Sequence, residues 1–188
     1  MQGICKNFGA VQANNNVDLN LSKGDILGLL GENGAGKTTL MNILFGTYQA
    51  DEGKIMIQGR QVTIHSTADA LGFGIGMVHQ HFHLVHRHTV LENLLVGEPG
   101  RMGRLDFSGA RRRLLEIGEQ FGLTLNPDAR VSELTIGEQQ RLEIIKALFG
   151  DSKILILDEP TAVLTPNEST GLFEALRALA EGGLGIIF

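Results

Sequence analysis

The sequence predicts an α/β fold: a mainly parallel sheet, a small antiparallel sheet beside it, and an inserted helical block. Three observations carry that prediction. The apolar runs "DILGLL" (25–30) and "KILILDEP" (153–160) stop abruptly at a glycine loop and at a carboxylate pair, as strands buried in a parallel sheet do. Between Val90 and Gly150 the spacing of apolar residues turns helical. Strand and helix patterns alternate on either side of that block, the order that packs helices on a parallel sheet.

The elements come in chain order. "DILGLL" reads as a buried strand, and the glycine loop after it opens a helix over "TTLMNILFG". "KIMIQG" (54–59) alternates and stops at Gly59, which predicts a half-exposed antiparallel strand. "GIGMVHQ" (74–80) reads as a third strand. "TVLENLLVG" has helical spacing, Ser108 is the candidate cap for "GARRRLLEIGEQFG", and "GEQQRLEIIKALFG" sets Leu142, Ile145 and Leu148 on one face. "KILILDEP" returns to strand, "LFEALRALAEGG" is an amphipathic helix closed by glycines, and "LGIIF" begins another strand.

Composition narrows the function classes. A chain of 188 residues, 43% hydrophobic and 20% charged, suits one globular domain with a real core. The single cysteine, Cys5, excludes an internal disulfide framework and fits a reducing compartment. A formal charge of −5 and the lack of tryptophan argue against a nucleic-acid partner. No apolar run approaches the roughly 18 residues of a membrane span, and "MQGICKNFG" is too polar for a secretory signal. The expectation is a cytosolic protein that meets membranes only through partners. Arg111, Arg112 and Arg113, with Arg101 and Arg104 nearby, read as the solvated face of a helix.

The strongest motif is "GENGAGKTT", Gly31 to Thr39: two glycines with a four-residue interval, then lysine and a hydroxyl residue, between a strand and a helix. Gly31, Gly34 and Gly36, with Asn33 and Ala35 between them, let backbone N–H groups turn inward around a polyphosphate. Lys37 reaches the β- and γ-phosphates, Thr38 offers a hydroxyl to Mg²⁺, and Thr39 continues into a helix whose positive end faces the same anions. In "ILILDEP", Asp158 ends a buried strand where it can hold Mg²⁺ through water, and Glu159 is placed to polarise the attacking water as general base.

With these motifs placed, the whole chain resembles the nucleotide-binding domain of an ATP-binding cassette (ABC) transporter, a P-loop NTPase. "LTIGEQQR" (134–141) is similar to the family's signature loop and "VHQHF" to its glutamine loop; "AVLTP" (162–166) stands where the loop after the catalytic glutamate contacts a partner subunit. The resemblance implies that Gln80 ligates Mg²⁺ and senses the γ-phosphate, and that Phe8 stacks on adenine. It also implies that Thr135, Gly137 and Glu138 meet the nucleotide of a second cassette, Thr135 through its hydroxyl and Gly137 through an accessible N–H. The signature departs from the commonest form at Ile136 and Glu138, and Thr165 stands where many members carry aspartate.

At subfamily level "GENGAGKTTLMNILFGTYQADEGKIMIQG", "MVHQHF" and "LILDEPTAVLTP" look most like importers of simple sugars and nucleosides. The resemblance thus implies an ATPase subunit with ATP and Mg²⁺ as cofactors. Its expected partners are a second cassette (a homodimer or tandem half), transmembrane permease subunits and, indirectly, an extracytoplasmic substrate-binding protein, with a place on the cytoplasmic face of the membrane. The resemblance divides the domain, 1–188, into a core of about 1–82 and 151–188 and a helical subdomain of about 83–150. The family's switch histidine should come after "LGIIF", so the chain is expected to be incomplete at its C-terminal end. Two other readings stay open: a soluble non-transport ABC ATPase, and a nucleotide-gated module without turnover.

"MVHQHFHLVHRH" (77–88) holds five of the six histidines. Alternation of His79, His81 and His83 would suit Zn²⁺, but no cysteine or nearby carboxylate completes the set. His86 and His88 are assigned by default to a coupling surface.

Overall fold

Two four-stranded sheets organise the chain. The structure, a computed structural model, describes residues 1–96 and 105–188; Arg101 and Arg104 lie outside them. The first sheet is antiparallel, in the order β2-β1-β4-β5, from β1 (Gln2–Phe8), β2 (Val11–Val17), β4 (Glu52–Ile57) and β5 (Arg60–Val62). The second is parallel, in the order β3-β8-β7-β6, from β3 (Ile26–Leu27), β6 (Ile75–Val78), β7 (Ile154–Leu157) and β8 (Gly185–Ile187).

β7 shows why its sequence is an unbroken apolar run. Leu155, Ile156 and Leu157 are all fully buried, but they alternate in direction. Leu155 and Leu157 pack with Leu142, Ile144 and Ile145 of α5 (Ile136–Phe149) and Leu176 of α6 (Pro166–Glu181). Ile156 joins Ile4 of β1, Ile75 of β6, and Leu40 and Ile43 of α1 (Lys37–Leu44) on the other face. Both faces are therefore covered, as the α/β prediction requires.

"DILGLL" proves less buried than its composition suggests. Among the described residues β3 pairs with β8, and Ile26 is exposed.

Helices α2 (Thr67–Gly72), α3 (Val90–Leu95) and α4 (Phe107–Phe121), with a 3-10 turn at Val131–Glu133, complete the elements among the described residues. The cap of α4 is Asp106 rather than Ser108: its carboxylate accepts from Gly109 N at 2.8 Å, and Ser108 lies inside the first turn. Both are good capping types, and only the turn geometry decides between them. Thr89 and Glu92 form a reciprocal capping box on α3. Arg111 pairs with Asp128, and Arg113 pairs with Asp151 while lying over the Phe149 ring, so two of the three arginines brace α4 from outside.

The histidine-rich segment is held mainly by its backbone. Buried Asn93 accepts from Val85 N at 2.7 Å and donates to the carbonyls of Val85 and Thr89, both at 3.0 Å. The carbonyls of His86 and His88 accept from Ser132 N and Val131 N. The His79 and His83 rings lie 4.8 Å apart, with Phe45 edge-on to His79. Burial, and next the neighbouring His83, hold the His79 pKa below its usual value, with Asp158 opposing. Among the described residues no group of three or more His, Cys, Asp or Glu side chains is placed to hold a metal.

Candidate nucleotide site

Glycine at 36 is required by its surroundings. Its φ is +89°, and a Cβ there would stand 2.1 Å from the carbonyl oxygen of Ala13. This contact presses the loop 31–36 against β2, where buried Asn14 donates from Nδ2 to Gly36 O at 3.1 Å. Gly36 is also the N-cap of α1 and supplies no side chain to its amides; the first turn of α1 carries no acid. The helix end is left without a side-chain cap or an acid of its own, open to an outside anion.

Lys37 folds back over the same loop, its ammonium donating to the carbonyls of Gly31 at 2.6 Å and Glu32 at 2.9 Å. Asn33, Gly34 and Ala35 form the exposed crest, and Gly34 takes a positive φ of +82°. Thr38 Oγ1 donates to Asp158 Oδ1 at 3.1 Å, joining the start of α1 to the end of β7. Thr39 is the next residue within α1.

The β6–β7 register pairs Val78 with Leu157, and Asp158 N donates to Val78 O at 3.0 Å. That alignment carries Gln80 and Glu159 to the same end of the parallel sheet, where ligands of such sheets are bound. Gln80 Nε2 donates to Glu159 Oε2 at 2.9 Å. Glu159 holds a left-handed backbone, φ +48°, which turns its exposed carboxylate away from the buried strand. Lys37, Thr38, Gln80, Asp158 and Glu159 therefore meet around one mouth, although the chain separates them by as much as 122 residues (159 − 37).

A hydroxyl, a carboxylate and an amide make an oxygen donor set suited to a hard cation such as Mg²⁺. The hydrogen bond from Thr38 to Asp158 holds two of those donors together, and Gln80 is held by Glu159, the residue after Asp158.

Phe8 lies at the tip of the β1–β2 hairpin, opposite Val11, and is 45% exposed. Tyr48 packs edge-on against it with ring centroids 5.3 Å apart, and Lys6 Nζ stands 5.5 Å from the ring centre. Lys6 is fixed in turn by Asp51 at 2.7 Å. The sequence singled out Phe8 as a candidate but neither Tyr48 nor Asn14. The only signal for Asn14 was three consecutive asparagines in a strand, a residue type disfavoured there.

Thr135, Gly137 and Glu138 form a separate group at the start of α5; among the described residues no hydrogen bond joins them to the loop 31–39. Thr135 Oγ1 accepts from Glu138 N at 3.2 Å, and Glu138 Oε2 accepts from Thr135 N at 2.8 Å. Gly137 is a buried residue, and its N–H, expected to be accessible, donates to Glu168 Oε1 of α6 at 3.2 Å.

The chain is 47% identical over 188 residues to the guanosine import ATP-binding protein NupO of Bacillus subtilis, and 43% identical over 190 residues to the ribose import ATP-binding protein RbsA of Caldanaerobacter subterraneus. All of the chain is matched, but it spans only 37% and 38% of the lengths of those relatives. Among solved structures, the ADP conformation of MJ1267, an ATP-binding cassette of an ABC transporter, superposes with a TM-score of 0.84 at 29% identity, covering 99% of this chain and 78% of that one. A dimeric cassette, MJ0796 in a post-hydrolysis state bound to ADP and Pi, matches with a TM-score of 0.79 at 26% identity, covering 99% and 84%. Residues 14–162 match the family model described as ABC transporter, and the chain belongs to that family.

Proposed function

We propose that this chain is the ATP-binding and hydrolysing part of a transporter motor, with the triphosphate seated between the loop 31–39 and the carboxylates of Asp158 and Glu159. The observation that carries the reading is the uncapped, acid-free start of α1 facing the paired donors Thr38–Asp158 and Gln80–Glu159. Backbone N–H groups of the loop bind the phosphates, and Lys37 leaves its carbonyl partners to reach the terminal ones. Mg²⁺, when bound with the nucleotide, neutralises charge on the phosphate oxygens; Thr38, Gln80 and Asp158 are the residues that would hold it. Glu159 accepts the proton of the attacking water, and its hydrogen bond from Gln80 fixes where that carboxylate points. Phe8, buttressed by Tyr48, offers its ring to the base. Most of the acceleration comes from positioning and electrostatics.

The second group, Thr135, Gly137 and Glu138, serves a nucleotide held by a partner cassette, so two chains or tandem halves sandwich two ATP molecules. The dimeric form of a related cassette supports this arrangement. Closure would be passed to permease subunits through the segment after Gln80. A nucleoside or simple sugar is the class of solute in keeping with the relatives, supplied from the far side by a substrate-binding protein. The motor itself would sit against the cytoplasmic face of the membrane; no helix among the described residues is long and apolar enough to cross it. Mg-ATP binding and phosphate release by the parent and by Glu159→Gln test the reading: binding by both with turnover by the parent alone is expected, and equal turnover would overturn the role of Glu159.

A further inference from the structure

The start of α5 is filled from within the chain. The capping box of Thr135 and Glu138 satisfies the Glu138 N–H, and Glu168 Oε1, reaching over from α6, takes the Gly137 N–H at 3.2 Å. The fit is close: a Cβ on Gly137 would stand 2.6 Å from that oxygen. Glu168 is anchored on its own helix at the same time. Its Oε2 accepts from Thr165 N at 3.0 Å and from Thr165 Oγ1 at 2.7 Å, completing the box that starts α6. These bonds from Thr165, first from its backbone and then from its hydroxyl, hold the Glu168 carboxyl below the usual carboxylate range, with Gly137 N and Arg141 adding to them. A carboxylate thus occupies the amide that the proposed sandwich assigns to a phosphate. One N–H cannot serve both anions, and like charges at that distance repel.

We propose that Glu168 is a further residue of the sandwich site: its carboxylate holds the Gly137 amide in the unpaired cassette and must be displaced when the partner's γ-phosphate arrives. It therefore sets how much ATP is needed to bring two cassettes together. This rests on the proposed function, in which Gly137 faces a nucleotide in trans. Arg141 lines the groove beside Glu168 and remains to receive the displaced carboxylate. Because Thr165 shares that carboxylate, the release also links the loop 162–165 to the signature end of α5.

The test uses Glu168→Gln in the full-length protein, on a Glu159→Gln background that arrests turnover. Glutamine is accepted at the third position of a capping box, so α6 keeps its cap while the negative charge goes. Sedimentation for pairing between chains, or cross-linking of the start of α5 to the facing phosphate loop for pairing of tandem halves, measures the ATP concentration at half-maximal pairing, and calorimetry measures ATP binding to the unpaired protein. The midpoint should fall about two- to fivefold, the size of one charge removed at a helix N-terminus, with binding to the unpaired protein unchanged. A residue that merely braced the two helices would leave the midpoint unchanged or raise it, and either result overturns the proposal. If both proteins bind ATP and no pairing appears, either between chains or between tandem halves, the sandwich reading itself fails and the role of Glu168 fails with it; equal midpoints in two proteins that do pair refute Glu168 alone.

Discussion

The starts of α1 and α5 are the same physical object used in opposite ways. Each helix begins with unsatisfied N–H groups and a partial positive charge. At α1 the cap is Gly36, which brings no side chain, and no acid stands in the first turn. At α5 the cap is Thr135, Glu138 closes the box, and Glu168 takes the next amide. One end is left open for an anion from outside; the other is already held by the chain's own carboxylates. An open end binds on arrival, whereas a filled end yields only when a stronger anion is presented with the right geometry. The difference suits the order of events proposed, with nucleotide first captured by the loop and a second cassette engaged afterwards.

The largest expected effect breaks the chemistry at the open end without closing it. Glu159→Gln should lower ATP turnover by roughly 10²–10⁴, the usual worth of a positioned general base, with ATP affinity retained. Malachite-green phosphate release beside calorimetric binding checks this, and matching losses in both would mean that the substitution damaged the site as a whole.

Closing the open end by sterics comes next. Gly36→Ala puts a methyl group against Ala13 O at a φ of +89°, where backbone strain alone costs about 1–3 kcal/mol. ATP binding should be lost together with several degrees of thermal stability. A variant that binds normally would show that the loop does not need its contact with β2.

Asn14→Ala loosens the same loop more gently. Losing the Nδ2 bond to Gly36 O should cost about 1 kcal/mol in urea denaturation and weaken ATP binding by a smaller factor than Gly36→Ala. Unchanged affinity would reduce Asn14 to a packing role.

The smallest effect concerns the filled end. Thr135→Ala removes a helix cap worth about 1 kcal/mol and should leave ATP binding to the unpaired cassette untouched. A clear loss of that binding would place Thr135 at the chain's own nucleotide and contradict the separation of the two ends.

The two ends also differ in how far the sequence disclosed them. The loop 31–39 and the pair Asp158–Glu159 were legible because their chemistry is local: a few adjacent residues specify the turn, the helix start and the strand end. The pairing of β6 with β7 then set Gln80 beside Glu159, a contact that neither motif named on its own. The occupancy of Gly137 was not legible, since Glu168 is 31 residues away and its second hydrogen bond depends on how α6 crosses α5. Asn14 was missed for the same reason, being an ordinary strand residue until Gly36 is packed on it. Ser108 lost to Asp106 because two capping residues stood within a turn of each other.

The central claim, that the open start of α1 is the triphosphate site, is tested most directly by calorimetric titration of Mg-ATP into the parent protein and Lys37→Ala. The account predicts saturable binding by the parent, one site per cassette, with the variant weaker by roughly ten- to a hundredfold, as expected for losing hydrogen bonds to a charged group. Equal affinity in the two proteins would contradict it and move the nucleotide away from the loop.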